Sequence, residues 1–145
     1  MIRAAIIVAA LAAGLTGVVA QSDPIKARQT AMKAAGDAMK APAAMMKGEQ
    51  PFNVDAAKAS FKALNDVAKA AGTLFPENSK TGGDTAADPK IWTDAAGFKM
   101  ALANFEKASA DAMANVKDEA SFKAEFPKVG KTCGECHNTF RVKKN

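Results

Sequence analysis

The residues of this chain that could perform chemistry lie together near its C-terminus. Both cysteines and the single histidine of the 145-residue sequence lie in the segment Cys133-Gly134-Glu135-Cys136-His137. Cys-x-x-Cys-His is the sequence signature of c-type haem attachment. The first, fourth and fifth of these positions share one face of a helix, so two thiols can reach one porphyrin edge while the imidazole reaches the iron. The motif predicts one covalently bound haem c.

Three other chemistries use some of the same residue types. A structural zinc site needs four ligands of the Cys or His type, and this chain has three. A thioredoxin-like dithiol also contains Cys-x-x-Cys, but it belongs to a βαβ pattern. A disulfide across two intervening residues would be strained, and it would leave His137 without a role. Haem attachment therefore remains the favoured interpretation, with Cys133 and Cys136 as attachment points and His137 as an iron ligand.

The composition favours a small helical domain. Of the residues, 48% are hydrophobic, 24% are charged and 6% are aromatic. Alanine, lysine and methionine are abundant while β-branched residues are sparse, which favours helices over strands. The length suits a single domain with its own core. The formal net charge is +5, but the lysines alternate with acidic residues and form no aromatic-lined basic groove, so nucleic-acid binding is not expected.

The N-terminus has the three-part pattern of a secretory signal. Residues 1–3 are positively charged, residues 4–19 are apolar and uncharged, and residues 18–20 have compact side chains suited to a signal peptidase. We predict that residues 1–20 are cleaved and that residues 21–145 form the mature domain, outside the cytoplasm and with no stable membrane insertion. The alternative is a membrane anchor, because the apolar run approaches the roughly 18 residues needed to span a bilayer.

Four blocks of apolar residues at helical spacing predict an all-α, antiparallel four-helix bundle. The first block is expected to kink near Pro42, the second covers about 54–71, the third begins at Asp88-Pro89, and the fourth covers about 119–143. Residues 74–89 form a loop, and Pro127 either kinks the last helix or marks its true start. The expected core positions are Ile25, Met32, Gly36, Met39, Ala43 and Met46; then Ala57, Phe61, Leu64 and Ala68; then Ile91, Ala95, Phe98, Leu102, Phe105, Ser109, Ala112 and Val116; and finally Phe122, Phe126, Val129, Cys133, Cys136 or His137, and Phe140.

A haem motif near the C-terminus of a four-helix chain resembles the cytochrome c′ family, the class II cytochromes c. The resemblance covers essentially the whole mature chain. Further matching segments are Arg28-Gln29-x-x-Met32, Lys47-Gly48-Glu49-Gln50-Pro51-Phe52, Gly82-Gly83-Asp84, Pro89-Lys90-Ile91-Trp92 and Phe140-Arg141. The resemblance implies that His137 is the proximal iron ligand and that a side chain of the first helix meets the opposite face of the haem.

The residue at that opposite position separates two functions in the family. Members with methionine there resemble low-spin electron carriers, whereas members with a bulky non-ligating group bind NO or CO at five-coordinate iron. The matching residue is Met32, and methionine opposite histidine is an established ligand pair that raises the reduction potential. The alternatives are that Met32 only packs in the core, that Met39 is the ligand, or that the site has no protein ligand.

The resemblance also places Arg28 near the haem propionates, where a guanidinium can pair with a carboxylate. The alternative is an arginine that snorkels to solvent. The match of Arg141 lies near the proximal histidine. The sequence alone does not show which aromatic residues surround the haem.

The family resemblance implies a periplasmic electron carrier that serves a redox partner protein or a membrane electron-transfer complex. Residues 117–145 contain seven basic and four acidic side chains, an excess that would steer an acidic partner toward the haem; solvated surface lysines are the alternative. Haem-dependent catalysis is the least favoured function, because the only histidine is committed to iron. Monomer and homodimer both remain open.

Overall fold

The computed structural model describes residues 23–143, in which six α-helices and one short 3₁₀ turn are present. The predicted signal peptide, residues 1–20, lies outside the described residues. Among the described helices, none combines the length and the apolar character that crossing a membrane requires. The helices are α1 (Pro24–Ala38), α2 (Lys40–Lys47), α3 (Val54–Ala71), α4 (Lys90–Thr93), α5 (Ala95–Asn115) and α6 (Glu119–Phe140), with the 3₁₀ turn at Glu77–Ser79.

These helices form the four-helix bundle that the sequence predicts. The α1–α2 pair, α3, the α4–α5 pair and α6 are its four members. The α3 helix packs against α1 and α5, and α5 packs against α6. Three residues separate α5 from α6, and a connection this short between packed helices makes them antiparallel neighbours.

The first bundle member is interrupted at Met39, as Pro42 predicts. Proline has no backbone N–H, so residue 42 cannot donate the hydrogen bond that the carbonyl of Ala38 would accept in a continuous helix. The α1 helix therefore ends at Ala38 and α2 begins at Lys40. At its other end α2 stops at Gly48, whose φ of 74° lies in the left-handed region that glycine adopts without steric cost.

The predicted core stripe of this member is partly wrong. Met32 is 36% exposed and Gly36 is also exposed. The buried residues on these two helices are instead Arg28, Pro42 and Met45. Both exposed residues lie on α1 before Met39, and Met32 borders a cavity described below, which leaves its side chain partly open.

The third bundle member is divided as well, which the sequence analysis did not anticipate. Asp94 leaves helical geometry, with φ −124° and ψ 59°, and its carboxylate accepts a hydrogen bond from the backbone N–H of Gly97 at 3.0 Å. An aspartate that caps a new helix competes with continuation of the previous one. Consequently Ala95 is exposed, whereas the remaining predicted core positions of this segment are buried or half-buried.

The second predicted helix is confirmed at both ends, and its core positions Ala57, Phe61, Leu64 and Ala68 are all buried. They join a main core that also contains Met45, Phe105, Ala112, Val116, Phe122 and Val129. The ring centroids of Phe61 and Phe122 lie 6.3 Å apart. This core holds α3, α5 and α6 together at the end of the bundle that is reached by α2.

One polar residue of α3, Asn65, is buried in the core, with 4% of its surface exposed. Its Nδ2 donates to the carbonyl of Glu106 at 2.8 Å and to Oγ of Ser109 at 3.1 Å. The side chain therefore connects α3 to α5 inside the core. Its type alone suggests an exposed position, because asparagine is usually found at the surface.

We expect Asn65→Ala to lower the free energy of unfolding by about 1–3 kcal/mol, because the buried partners on α5 would lose a hydrogen-bond donor. Urea unfolding followed by circular dichroism measures this change. Lys69→Ala, an exposed substitution on the same helix, should change stability by less than about 0.5 kcal/mol. Equal effects of the two substitutions would contradict a special role for Asn65.

An ion-pair network crosses the junction between α1 and α2. The carboxylate of Asp37 lies 2.6 Å from Nζ of Lys33 and 2.7 Å from Nζ of Lys40. Hydrogen bonds from Lys33 and Lys40 hold the pKa of Asp37 at about 2, below the usual 3.8 for aspartate. A carboxylate whose pKa is depressed by folding stabilises the protein above its unfolded-state pKa, and this contribution is lost as the pH falls through its folded-state pKa.

We therefore expect Asp37→Asn to be less stable than the parent protein at neutral pH, by an amount that shrinks below pH 3.8 and vanishes near pH 2. Urea midpoints measured across this range test the prediction. High salt should reduce the neutral-pH difference, because exposed ion pairs are screened. A stability difference independent of pH would show that the carboxylate charge contributes nothing.

The last bundle member is continuous through Pro127. It begins at Glu119, where Asp118 and Ser121 form a reciprocal capping box, and it ends at Phe140, before the predicted 143. Pro127 is exposed, so the missing N–H does not leave a buried carbonyl unpaired. Glu125, 8% exposed, was not anticipated as a buried residue; it pairs with Lys128 at 2.8 Å.

Candidate haem site

The Cys-x-x-Cys-His motif lies on the last two turns of α6. Cys133 is half-buried and packs against the main core, whereas Cys136 is half-buried and packs against a second cluster of Ile91, Phe98 and Phe140. His137 is exposed at the rim of a cavity beside the second cluster. One helix thus presents two thiols and an imidazole along a single stretch, as the motif predicts.

That cavity has a volume of about 410 Å³ and opens between α1, the 74–89 loop, α5 and α6. Its walls are mostly apolar, with basic and polar groups at intervals. The lining residues are Arg28, Gln29, Met32, Lys33, Phe75, Thr85, Ala86, Ala87, Ile91, Phe98, Leu102, Cys136, His137, Phe140 and Arg141. Four of the five site residues that the sequence predicts, all except Cys133, line this one cavity.

The electrostatic environment of the motif favours the uncharged forms of its side chains. Burial raises the pKa of the Cys133 thiol. Burial also raises the pKa of the Cys136 thiol, with a smaller contribution from the charge of the neighbouring Cys133. The cavity wall removes part of the solvent around the His137 ring, and this desolvation lowers the pKa of His137, with a smaller contribution from the charge of Arg141. A neutral imidazole has a free nitrogen lone pair, which is the form that binds a metal.

Within residues 23–143 no group of three or more Cys, His, Asp and Glu side chains is arranged to hold a metal ion. A haem iron does not need such a group, because the porphyrin occupies its four equatorial positions and the protein supplies axial ligands only. The side chains at this cavity can supply two such axial ligands. It contains one imidazole from α6 and one thioether from α1, on walls that are mostly apolar.

Met32 and the fallback candidate Met39 occupy different environments. Met32 lines the cavity and is 36% exposed. Met39, at the junction between α1 and α2, is half-buried and packs against the main core. Of these two methionines, Met32 is therefore the one that borders the same cavity as His137.

Arg28 is buried at the cavity wall, with 4% of its surface exposed, so the snorkelling alternative is wrong. Its guanidinium donates to Oγ of Ser79 at 2.8 Å, to the carbonyl of Ser79 at 3.0 Å and to Oγ1 of Thr85 at 2.6 Å. The guanidinium carbon also lies 5.3 Å from the ring centroid of Phe75. Burial lowers the pKa of Arg28, and the charge of Asp23 acts in the opposite direction.

The 74–89 loop connects the two sides of the cavity. On the α1 side, Nε2 of Gln29 donates to the carbonyl of Asp84 at 2.5 Å. On the α6 side, the N–H of Val142 donates to the carbonyl of Ala86, and the N–H of Asp88 donates to the carbonyl of Phe140, both at 3.0 Å. The loop thus holds the helix that carries Met32 close to the end of the helix that carries His137.

Comparison with known proteins identifies the family of this chain. The sequence profile of the family described as Cytochrome C′ matches residues 23–141. The chain belongs to the cytochrome c′ family. It is 43% identical over 144 residues to cytochrome c′ of Rhodopseudomonas palustris, and 35% identical over 147 residues to cytochrome c-556 of the same organism, with 99% of each chain covered in both cases.

A solved structure of the Rhodopseudomonas palustris cytochrome c′ has the same fold. It superposes with a TM-score of 0.84 at 45% identity, covering 86% of this chain and 100% of that one. Family membership confirms the predicted cofactor, since proteins of the cytochrome c′ family carry covalently bound haem c. Family membership also confirms the predicted four-helix bundle as the scaffold for it.

The sequence did not show which aromatic residues form the wall of the cavity. In this cytochrome c′ family member Phe75, Phe98 and Phe140 line the cavity. Phe98 meets Phe75 and Phe140 edge to face, with centroids 4.8 and 5.3 Å apart. Trp92 supports this wall, because its indole N–H donates to the carbonyl of Phe75 at 3.0 Å. By contrast, Phe126 packs in the main core.

Proposed function

We propose that this protein is an exported, low-spin electron carrier in which His137 and Met32 are the axial ligands of a haem joined to Cys133 and Cys136. The observation that carries this proposal is that α1 and α6 bring a thioether and the only imidazole to one apolar cavity. The bound haem supplies a one-electron couple between ferrous and ferric iron.

The side chains around the haem determine how firmly the cofactor is held and whether a substrate can reach the iron. Two thioether links make the cofactor permanent, and two protein ligands leave no open coordination position for a substrate. The apolar walls formed by Ile91, Phe98 and Phe140 exclude water from the ring. These features suit electron transfer, and the single histidine, being bound to iron, would not be available for acid–base catalysis.

Arg28 is proposed to bind the haem propionates. Its buried guanidinium is held by neutral oxygens, and a buried cation is stabilised by an anionic partner. A carboxylate of the cofactor would provide that partner at the cavity wall that Arg28 forms.

The low-spin assignment is tested by the visible absorption spectrum of the purified holoprotein in both oxidation states. Low-spin bands with a methionine–iron charge-transfer band in the ferric state are expected. A high-spin spectrum that is unchanged by Met32→Ala would exclude methionine ligation.

The second candidate function is a five-coordinate protein that binds or sequesters NO or CO. One observation favours it, namely that Met32 is more than one-third exposed, so packing does not lock its side chain in one position. Rapid CO binding by the unmodified ferrous protein, with no displacement of an internal ligand, would support this function over electron transfer.

The cellular setting is proposed from the sequence. Removal of residues 1–20 would deliver residues 21–145 to the periplasm, where a redox partner protein or a membrane electron-transfer complex would exchange electrons with the haem. Mass spectrometry of protein from the periplasmic fraction should show an N-terminus at Gln21. Sedimentation equilibrium distinguishes the monomer from the homodimer.

A further inference from the structure

The acceptors that hold Arg28 are themselves held in fixed orientations. Ser79 is 1% exposed, and its Oγ donates to the carbonyl of Pro76 at 2.8 Å while it accepts from Nη1 of Arg28, also at 2.8 Å. A hydroxyl has one proton and two lone pairs. Because the proton is committed to Pro76, Ser79 can present only lone pairs to the guanidinium.

Thr85 holds the other end of the guanidinium. Its Oγ1 accepts from Nη2 of Arg28 at 2.6 Å and from the backbone N–H of Ala87 at 3.1 Å. Nη2 also donates to the carbonyl of Ser79. Two loop residues thus fix both terminal nitrogens of one planar group, which leaves little freedom for the guanidinium to rotate or withdraw.

All three of these acceptors are neutral. They orient the guanidinium without cancelling its charge, so the positive charge of Arg28 acts on whatever lies in the cavity. The other charged or titratable groups on the wall are Lys33 of α1, the Cys136 thiol of α6, and His137 and Arg141 at the end of α6. Asp23 before α1 influences Arg28, and Asp84 of the loop is bound through its carbonyl by Gln29.

We propose that Ser79 and Thr85 are positioning residues that fix the charge of Arg28 against the haem carboxylates and so set the reduction potential. This inference rests on the proposed function, in which Arg28 binds the propionates. A fixed positive charge favours the ferrous state, which has one positive charge fewer than the ferric state. It also favours ionised carboxylates, since an opposite charge nearby lowers a carboxyl pKa.

The test compares holoproteins with Thr85→Val, which keeps the side-chain shape without the acceptor, and Thr85→Ser, which keeps the hydroxyl. Midpoint potentials are measured by spectroelectrochemistry from pH 4 to 9. We expect Thr85→Val to have a lower midpoint potential at pH 7. In Thr85→Val, the pH at which the midpoint potential responds to ionisation of the haem carboxylates should rise by about one pH unit. Thr85→Ser should show the same profile as the parent protein. Ser79→Ala should shift the profile in the same direction as Thr85→Val.

Identical profiles for Thr85→Val, Thr85→Ser and the parent protein would overturn the proposal. A shift shared equally by Thr85→Val and Thr85→Ser would also overturn it, because the hydroxyl would then be irrelevant. Axial ligation is read separately from the absorption spectrum of each variant. Absence of the methionine–iron band from the spectrum of the parent protein would contradict the proposed function. If that band is present and the midpoint potentials of the variants equal that of the parent protein, only the roles of Ser79 and Thr85 are contradicted.

Discussion

Replacing Met32 by alanine is expected to convert a low-spin haem protein into a high-spin one that binds CO. Alanine removes the thioether that we assign as the distal ligand, so the iron would lose a strong-field ligand and its midpoint potential would fall. If the methionine occupies its site about 99% of the time, removing it should raise the apparent CO affinity roughly 100-fold. Absorption spectra and CO titration of the ferrous protein measure both effects.

Met39→Ala is the matched control for this experiment. It removes a methionine seven residues further along the same bundle member, but one that packs against the main core and does not line the cavity. We expect it to lower stability while the spectrum and the CO affinity stay at parental values. A spectral change in Met39→Ala with none in Met32→Ala would reverse the assignment of the ligand.

Replacing both Cys133 and Cys136 by alanine is expected to abolish covalent haem attachment. The thioethers form only at these two thiols, and the sequence contains no other cysteine. In a host competent for cytochrome maturation, intact mass spectrometry should then show the polypeptide without haem, and acid acetone should extract any remaining pigment. The expected loss of covalently bound haem is complete.

The single variants separate the two attachment points. Cys136→Ala should retain one thioether through Cys133, and Cys133→Ala should retain one through Cys136. Lys131→Ala, an exposed substitution on the same helix, should keep the full haem mass. A double variant that retains haem after acid acetone extraction would refute attachment through the motif.

The cofactor was predictable from sequence because its determinants are local. Two thiols and an imidazole within five residues of one helix have the correct relative placement wherever that helix lies. The α3 helix was predictable for a similar reason. The helical spacing of its apolar residues and the N-cap at Asn53 are both determined within a few residues of the chain. The apolar positions Phe61 and Leu64 followed directly from that pattern.

Other features depended on where the helices stop. The stripe through Met32, Met39 and Met46 assumes one common core, but Met39 and Met46 pack against the main core whereas Met32 lines the cavity. In the same way, the carboxylate of Asp94 begins a new helix where the apolar repeat alone predicted none. A periodic pattern carries no information about these breaks unless a proline marks them, as Pro42 does.

By itself, the sequence predicted a haem attached through Cys133 and Cys136, with His137 as its proximal iron ligand and a helical bundle around it; family membership confirms the cofactor and the bundle. Only the tertiary structure decided which distant residues share the cavity. The hydrogen bonds of Arg28 reach Ser79 and Thr85, which are 51 and 57 residues away along the chain. Such contacts depend on how the 74–89 loop folds back over α1. The spacing of residues along the chain does not specify the course of this loop, because that course results from the packing of all the helices together.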